Sequence, residues 1–166
     1  MFNIAAAVFD HMYDTILLPT DGSAPSEAAR DHAVGLAVAY DATLHAVYVI
    51  DDAALRAARI DSDVVLAGFE AEGEQILDDV VAAASDAGVT CETTVLHGHP
   101  HEAITDYTDE HGVDLVVMGT HGRHGIQRFL LGSVTERVVR SSPVPVLTVR
   151  GEEAEAEGTE PSDAAD

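Results

Sequence analysis

A glycine-broken loop between a buried strand and a helix has the clearest potential for chemistry in this sequence. Leu115–Met118 is a short apolar run typical of a parallel strand that is covered on both faces. Gly119 and Gly122 follow it and let the backbone turn and bring its amides close to a ligand. Gly132 and Ser133 stand where the next helix starts, and serine is a favoured N-cap. Because a helix start carries unpaired N–H groups and partial positive charge, we expect this segment to bind phosphate.

The spacing of these residues, Gly-x2-Gly-x9-Gly-Ser, differs from both common phosphate loops. It lacks the lysine of G-x4-G-K-[ST] and the spacing of G-x-G-x-x-G. It resembles the nucleotide-binding signature of the universal stress protein family, in its ATP-binding branch, and residues 117–123 and 131–134 match the neighbouring words of that signature. The resemblance covers about residues 13–150 and implies a single domain that binds an adenine nucleotide.

The resemblance also implies roles for residues at the ends of two other strands. Asp21 stands where the family has an aspartate that lines the adenosine pocket, together with its neighbours Pro19 and Thr20. Its carboxylate could accept hydrogen bonds from ribose or adenine, hold a water of a bound Mg²⁺, or serve only the helix dipole. Val49 matches a position whose backbone pairs with the adenine edge, although its side chain is equally compatible with a core strand.

We expect the phosphates to lie between the glycine loop and the helix that follows it. Four of the eight basic residues fall within this part of the chain. Arg123 and Arg128 flank the loop and are placed to neutralise phosphates, whereas Arg137 and Arg140 fit cations that favour a helix C-terminus. The phosphate-binding residues implied by the resemblance are Gly119, Gly122, Arg123, Gly132, Ser133, Val134 and Thr135, and Mg²⁺ or Mn²⁺ would accompany ATP.

Three histidines at alternate positions form the other cluster with chemical potential. His97, His99 and His101 have Glu102 beside them, which is a set of metal-ligand residue types. However, the segment runs from a strand end through a turn into a helix, so the three side chains need not converge. The surrounding residues also match an ordinary phrase of the family, and we therefore predict no metal site here.

Hydrophobic periodicity and turn residues predict the order β-α-β-α-β-α-β-α-β. The predicted strands are residues 15–20, 43–50, 89–96, 114–119 and 144–149. The predicted helices are residues 23–40, 64–87, 101–111 and 133–141, with 51–63 as a loop or a short helix. This alternation implies a doubly wound, five-stranded parallel sheet with helices on both faces, and the resemblance implies strand order 3-2-1-4-5. The ends of strands one and four then meet at the switch point, where ligands bind.

The composition is strongly acidic. Thirty acidic residues face eight basic ones, all of them arginine, for a formal net charge of −22. Concentrated salt screens the repulsion between these negative charges. We therefore expect a cytoplasm of high ionic strength, such as that of a halophilic archaeon. The alternative is an acidic protein from an ordinary cell. Either way, this charge argues against nucleic acid or an anionic membrane as a partner.

The two ends of the chain differ in character from its centre. Residues 1–11 contain no Lys or Arg and do not fit a secretory signal, and we predict that they are an extension before a biological start at Met12. Residues 12–150 are predicted to form the universal stress protein domain. Residues 151–166 are acidic, lack large apolar side chains and are predicted to be a disordered tail. Cys91 is the sole cysteine, so no internal disulfide forms.

These observations predict an ATP-binding universal stress protein, a nucleotide-responsive regulator of stress tolerance in the cytoplasm. The family typically dimerises through its last strand, and the apolar edge Val144–Val149 fits a homodimer. No nucleophile–base pair is evident, so we expect at most slow ATP hydrolysis. The alternatives are a slow ATPase or nucleotidyl-transferring enzyme of the same adenine-binding group, and a nucleotide-free interaction module.

Overall fold

The computed structural model describes residues 12–60, 62–123 and 131–151, which form five parallel strands and five helices, with two consecutive helices between the second and third strands. The strands are β1 (Thr15–Pro19), β2 (Thr43–Asp51), β3 (Cys91–Gly98), β4 (Leu115–Gly119) and β5 (Val146–Val149). The helices are α1 (Ala24–Tyr40), α2 (Asp52–Ala57), α3 (Asp63–Asp86), α4 (Pro100–Glu110) and α5 (Ser133–Ser141). The sheet has the order β3-β2-β1-β4-β5, which confirms the predicted doubly wound fold.

The alternation of side chains along the strands divides the core between the two faces of the sheet. Ile16 and Leu18 of β1 pack with Ala33 of α1 and Leu77 of α3 on one face. Leu17, between them, packs on the opposite face with residues of α4 and α5. Both faces of β1 are therefore buried, as the continuous apolar runs of a parallel sheet require.

The prediction for β3 was two residues too early at both ends. Val89 does not belong to the strand, because its N–H donates to Ala84 O at 2.8 Å and so completes the end of α3. Gly88 enables this turn with a φ of +73°, as expected of a glycine after a helix. At the other end, β3 continues to Gly98 because β2 runs on to Asp51, with which Gly98 is in register.

The last strand is shorter than predicted and begins at Val146. Pro145 has no N–H to donate to a ladder. The Ser142 hydroxyl donates to Val144 O at 2.9 Å and accepts from Val144 N at 3.3 Å, so these residues form a local turn. The strand retains an open edge, because β5 pairs with β4 and lies last in the sheet.

One histidine of β2 is buried against α4, at the end of the sheet away from the strand carboxyl termini. His45 is 8% exposed, and its Nδ1 lies 3.0 Å from the Tyr107 hydroxyl. Burial lowers the pKa of His45 below its usual 6.5, opposed by the Glu92 carboxylate and reinforced by His111. The imidazole is therefore neutral in the folded protein at neutral pH.

Several predicted features fall on residues outside the described ranges. These are the extension 1–11, Arg128 and the part of the acidic tail from residue 152 onward. Within the ranges that are described, none of the helices combines the length and apolar character needed to cross a membrane.

Candidate functional site

A cleft of about 690 Å³ opens at the carboxyl ends of β1 and β4, the two strands that meet at the switch point. Its volume lies within the range of sites that hold small molecules and cofactors. The topology thus brings together residues that are about 100 positions apart in the chain. All eleven residues predicted for the site line this one cleft: Pro19, Thr20, Asp21, Val49, Gly119, Gly122, Arg123, Gly132, Ser133, Val134 and Thr135.

Asp21 joins the loop after β1 to the loop after β4. Its Oδ1 accepts hydrogen bonds from Ser23 N at 3.0 Å and from Ser23 Oγ at 2.6 Å. Its Oδ2 accepts from Arg123 N at 3.0 Å. Ser23 is the N-cap residue of α1, but its side chain makes no capping hydrogen bond because its hydroxyl donates to Asp21. Three of the carboxylate's acceptor sites are thus used to hold the loops, and this positioning role was not visible in the sequence.

The glycines of the loop are needed for close contacts rather than for an unusual backbone. Neither Gly119 nor Gly122 has a positive φ, so the turn predicted at these two glycines does not depend on a left-handed backbone. A Cβ at Gly119 would lie 2.8 Å from the Pro25 carbonyl carbon in the first turn of α1. A Cβ at Gly122 would lie 2.7 Å from Asp21 Oδ2. Gly119 and Gly122 therefore let the loops pack against each other.

The start of α5 supplies a row of backbone donors to the cleft. Gly132 is the N-cap, with φ −70° and ψ 160°, and Ser133 is the first helical residue, so the predicted serine N-cap is wrong. The Gly132 N–H donates to Thr120 O at 2.7 Å, and its carbonyl accepts from Glu136 N at 2.9 Å. The amides of residues 133–135 in the first turn are left without intrahelical acceptors, as in any helix start.

The hydroxyl of Thr135 has a structural partner. It donates to Gly119 O at 2.9 Å, and the residue is only 3% exposed. The bond attaches the first turn of α5 to the end of β4 and fixes the distance between the two halves of the loop. Ser133, by contrast, is exposed. Ser133 and Thr135 carry the two hydroxyls at the predicted phosphate site. Because that of Thr135 bonds to Gly119, the Ser133 hydroxyl is the one available to a ligand.

Val49 presents backbone rather than a functional side chain to the cleft. The β1–β2 ladder ends at the pair Pro19–Val47, and Thr20 N donates to Val47 O at 2.9 Å. Since alternate residues of a parallel strand direct their amides to the same neighbour, the N–H and C=O of Val49 face the side that β1 has just left. The position therefore offers one donor and one acceptor at the edge of the cleft.

Arg123 is a cationic side chain at the mouth of the cleft. Its guanidinium donates to Glu72 Oε1 of α3 at 2.5 Å. Desolvation acts to lower the pKa of Arg123, but the hydrogen bond and charge of Glu72 outweigh it and raise the pKa, so the group is always cationic. Burial, followed by the charge of Glu72, likewise raises the pKa of the neighbouring Tyr48 phenol, which stays neutral.

The outer wall of the cleft is apolar and was not predicted. It includes Leu55 of α2, Ile60 in the connection that follows, and Phe69 of α3. The Asp51 carboxylate begins α2 by accepting from the N–H groups of Ala53 and Ala54 at 3.0 and 3.1 Å. The sequence alone allows either a loop or a short helix in this segment. Its position after β2, at the carboxyl end of the sheet, was the one signal that could have placed it at the site.

The three alternate histidines do not gather around a common point. His97 Nδ1 lies 3.6 Å from Asp52 Oδ1 and His97 Nε2 lies 3.5 Å from Glu70 Oε1. The ring centres of His99 and His101 are 6.5 Å apart, with the ring planes tilted by 42°. In the part of the chain that the structure describes, no group of three or more His, Cys, Asp or Glu side chains is arranged to hold a metal ion.

The fold and the cleft together define a doubly wound α/β protein with a ligand-sized site at its topological switch point. The model of the universal stress protein family matches residues 12–150, and the chain belongs to that family. It is 36% identical over 143 residues to universal stress protein MJ0531 of Methanocaldococcus jannaschii, covering 85% of this chain and 84% of that protein.

Two solved structures extend the comparison to three dimensions. The structure of protein MJ0577, also from Methanocaldococcus jannaschii, is 29% identical with a TM-score of 0.78, and the match covers 86% of this chain and 99% of that one. A universal stress protein solved in complex with cAMP is 31% identical with a TM-score of 0.62, covering 84% of this chain and 98% of that one. Both share the fold, and the second binds an adenine nucleotide.

Proposed function

We propose that this protein is an ATP-binding universal stress protein, a nucleotide-responsive regulator rather than a metabolic enzyme. The observation that carries the proposal is the cleft of about 690 Å³ in which all eleven predicted residues meet. The 31% identical relative solved with cAMP supports an adenine nucleotide as the ligand class. Each end of the cleft has the chemistry that one end of ATP requires.

The adenosine would occupy the end of the cleft beside β2. The backbone donor and acceptor of Val49 match the edge of an adenine ring, which carries both an acceptor nitrogen and an amino group. The apolar side chains of Leu55, Phe69 and Met118 supply surface for the ring faces. Among the described residues, three of the four acceptor sites of Asp21 hold the loops, and the fourth would suit a ribose hydroxyl.

The phosphates would occupy the end formed by the β4 loop and the start of α5. The amides of residues 133–135, the exposed Ser133 hydroxyl and the positive end of the helix dipole all favour an anion there. Gly122 and Gly132 keep the backbone of both segments free of side chains. Arg123 adds the one full positive charge among the described residues that line the cleft.

A divalent cation would come with the nucleotide rather than bind first. ATP brings phosphate oxygens that suit Mg²⁺ or Mn²⁺, and Mg²⁺ commonly keeps several of its waters. The Asp21 carboxylate is largely committed to backbone and hydroxyl donors. The residues present therefore fit a cation held by the phosphates and water, with the protein contributing few ligands of its own.

We also propose a homodimer that forms along the last strand in a cytoplasm of high ionic strength. The open edge of β5 and the 37% exposure of Leu147 support contact at Val144–Val149. The net charge of −22 supports a salty compartment, because two such protomers repel each other unless salt screens them.

The first experiment identifies the nucleotide that copurifies with the protein. The full chain is purified in concentrated KCl and denatured, and the supernatant is analysed by mass spectrometry. Gly132→Val is expected to carry no ATP, because its side chain stands at the phosphate end. Gly35→Val is the matched control, since Gly35 lies exposed on α1 and a Cβ there would meet no neighbouring atom within 4 Å. This control should retain the wild-type amount of nucleotide.

Three other outcomes would redirect the assignment. An empty wild type that also fails to bind added ATP would contradict the proposal and favour the nucleotide-free interaction module. Loss of nucleotide from Gly35→Val as well as Gly132→Val would show that nucleotide binding depends on the stability of the fold and not on the space at Gly132. Divalent-dependent ATP turnover well above background, lost on Asp21→Ala, would favour the slow ATPase or nucleotidyl-transferring enzyme.

A further inference from the structure

The positive charge that faces the cleft is already paired within the protein. The Arg123 guanidinium and the Glu72 carboxylate form a hydrogen-bonded ion pair at 2.5 Å, between the loop after β4 and helix α3. The two side chains are 38% and 41% exposed, so the pair lies at the rim and solvent reaches it. Any anion that binds Arg123 must therefore compete with Glu72.

The position of Glu72 is fixed by tight packing of the next residue. A Cβ at Gly73 would lie 2.5 Å from a ring carbon of Tyr48, which means that α3 touches β2 directly at this point. Tyr48 is 8% exposed and is one of the residues that line the cleft. Because the helix cannot withdraw without losing this contact, the carboxylate of Glu72 stays within reach of the Arg123 loop.

The described lining of the cleft offers no other arginine or lysine to offset this pairing. Its full charges are the carboxylates of Asp21 and Asp51 and the guanidinium of Arg123. With Arg123 neutralised by Glu72, the side-chain charge of the described lining is negative. The backbone amides of α5 attract the phosphate nearest to them, but each further phosphate adds repulsion unless it displaces Glu72 from Arg123.

We propose that Glu72 is a specificity-determining residue that sets the preference of the cleft for the number of phosphates, by competing with the terminal phosphates for Arg123. The inference rests on the proposed nucleotide-binding function. Removing the Glu72 charge frees Arg123 for phosphate, which stabilises bound ATP most, ADP less and AMP least. Adenosine, which has no phosphate, is unaffected.

The test compares the dissociation constants of ATP, ADP, AMP and adenosine for wild type and Glu72→Gln by isothermal titration calorimetry. Glu72→Gln is expected to bind ATP about two- to fivefold more tightly, the factor that corresponds to a partly exposed ion pair. Glu70→Gln is the matched control, because Glu70 lies on the same helix, has 47% exposure and faces His97 instead. It should leave the preference of the site unchanged.

A second background isolates the competition from general charge effects. In Arg123→Gln, ATP should bind more weakly, and adding Glu72→Gln should then give no gain. Circular dichroism and denaturant unfolding confirm that each variant is folded. The titrations are done at about 0.2 M KCl, where the Debye length still permits such interactions, and again at about 2 M.

The outcomes separate this inference from the function on which it rests. If nucleotides bind but Glu72→Gln strengthens ATP and adenosine equally, or changes neither, the competition is refuted and the nucleotide site stands. An equal effect of Glu70→Gln would also refute it, because the field of the whole surface would then explain the gain. If no adenine compound binds the wild type, the proposed function fails and the inference with it.

Discussion

Replacing Gly119 by alanine tests whether this glycine serves the fold or the ligand. A Cβ at this position would lie 2.8 Å from the carbonyl carbon of Pro25, 2.9 Å from Pro25 Cβ and 2.9 Å from Ser26 N. Two of these atoms are backbone and the third belongs to a proline ring, so none can move away by a side-chain rotation. The first turn of α1 must shift instead.

The size of the shift gives the expected cost. Carbon atoms attract each other best at about 3.5–4.0 Å, so α1 would have to retreat by roughly 0.7 Å or more. Adding a methyl group to a well-packed interior typically costs about 1–3 kcal/mol. We expect Gly119→Ala to lose a free energy of unfolding in that range.

Two other glycine-to-alanine changes provide the comparison. At Gly132 the atoms nearest to an added Cβ would be 3.4 Å away and the backbone is one that any residue adopts, so alanine should cost less than about 1 kcal/mol, mainly as a poorer N-cap. At Gly35, in the exposed middle of α1, alanine meets no neighbouring atom within 4 Å and should stabilise by about 0.5–1 kcal/mol.

The assay is denaturant unfolding followed by circular dichroism in about 2 M KCl, with ATP binding measured on the same samples. The denaturant concentration at the midpoint should decrease in the order Gly35→Ala, wild type, Gly132→Ala, Gly119→Ala, while the dependence of the free energy of unfolding on denaturant stays similar. Gly132→Ala should lose more ATP affinity than stability. If Gly119→Ala unfolds like the wild type and loses only ATP binding, the packing argument is refuted and that glycine serves the ligand.

Three further changes are expected to act through single hydrogen-bonded groups. Asp21→Ala removes the acceptor of two backbone N–H groups and should cost about 1–3 kcal/mol in unfolding and weaken ATP binding, whereas Asp21→Asn should be milder. Thr135→Val leaves the buried carbonyl of Gly119 without its donor and should cost about 1–3 kcal/mol; unchanged unfolding would contradict this. His45 has a lowered folded-state pKa, so the unfolded chain takes up the proton first. The free energy of unfolding that depends on His45 is therefore fully present above about pH 6.5 and is lost as the pH falls towards the folded-state pKa. When the free energy of unfolding of His45→Gln is measured against pH, this decrease should be absent.

The order of elements was predictable because its signals are local. Apolar runs, the helix-ending Gly88 and the alternating pattern of β2 each lie within a few residues of the structure that they specify. Strand boundaries were less predictable because partners elsewhere decide them. The N–H of Val89 bonds to the carbonyl of Ala84 at the end of α3, so Val89 is not part of the strand. At the other end, β3 continues to Gly98 because β2 is long enough to pair with it there.

The residues predicted for the site line one cleft, but the structural reasons for several of them were not predictable. Gly119 and Gly122 stand out in the sequence, yet the atoms that exclude a side chain belong to Pro25 and Asp21, about 100 positions earlier. Glu72 carried no signal at all, since it is one of thirty acidic residues and lies 51 positions from Arg123. Contacts of this kind become visible only when the fold brings distant segments together.

The response of ATP binding to salt follows from how the cleft is built. A chain of net charge −22 repels ATP over long distances, and salt removes that repulsion as the Debye length falls from about 10 Å at 0.1 M to about 3 Å at 1 M. In the proposed site, the attraction for phosphate would come mainly from backbone amides at the start of α5, which act at contact distance and are screened less. Raising KCl from about 0.2 M to about 2 M should therefore maintain or strengthen ATP binding relative to adenosine, in contrast to sites built from cations. Steep weakening of ATP alone would show instead that arginine side chains dominate the phosphate end.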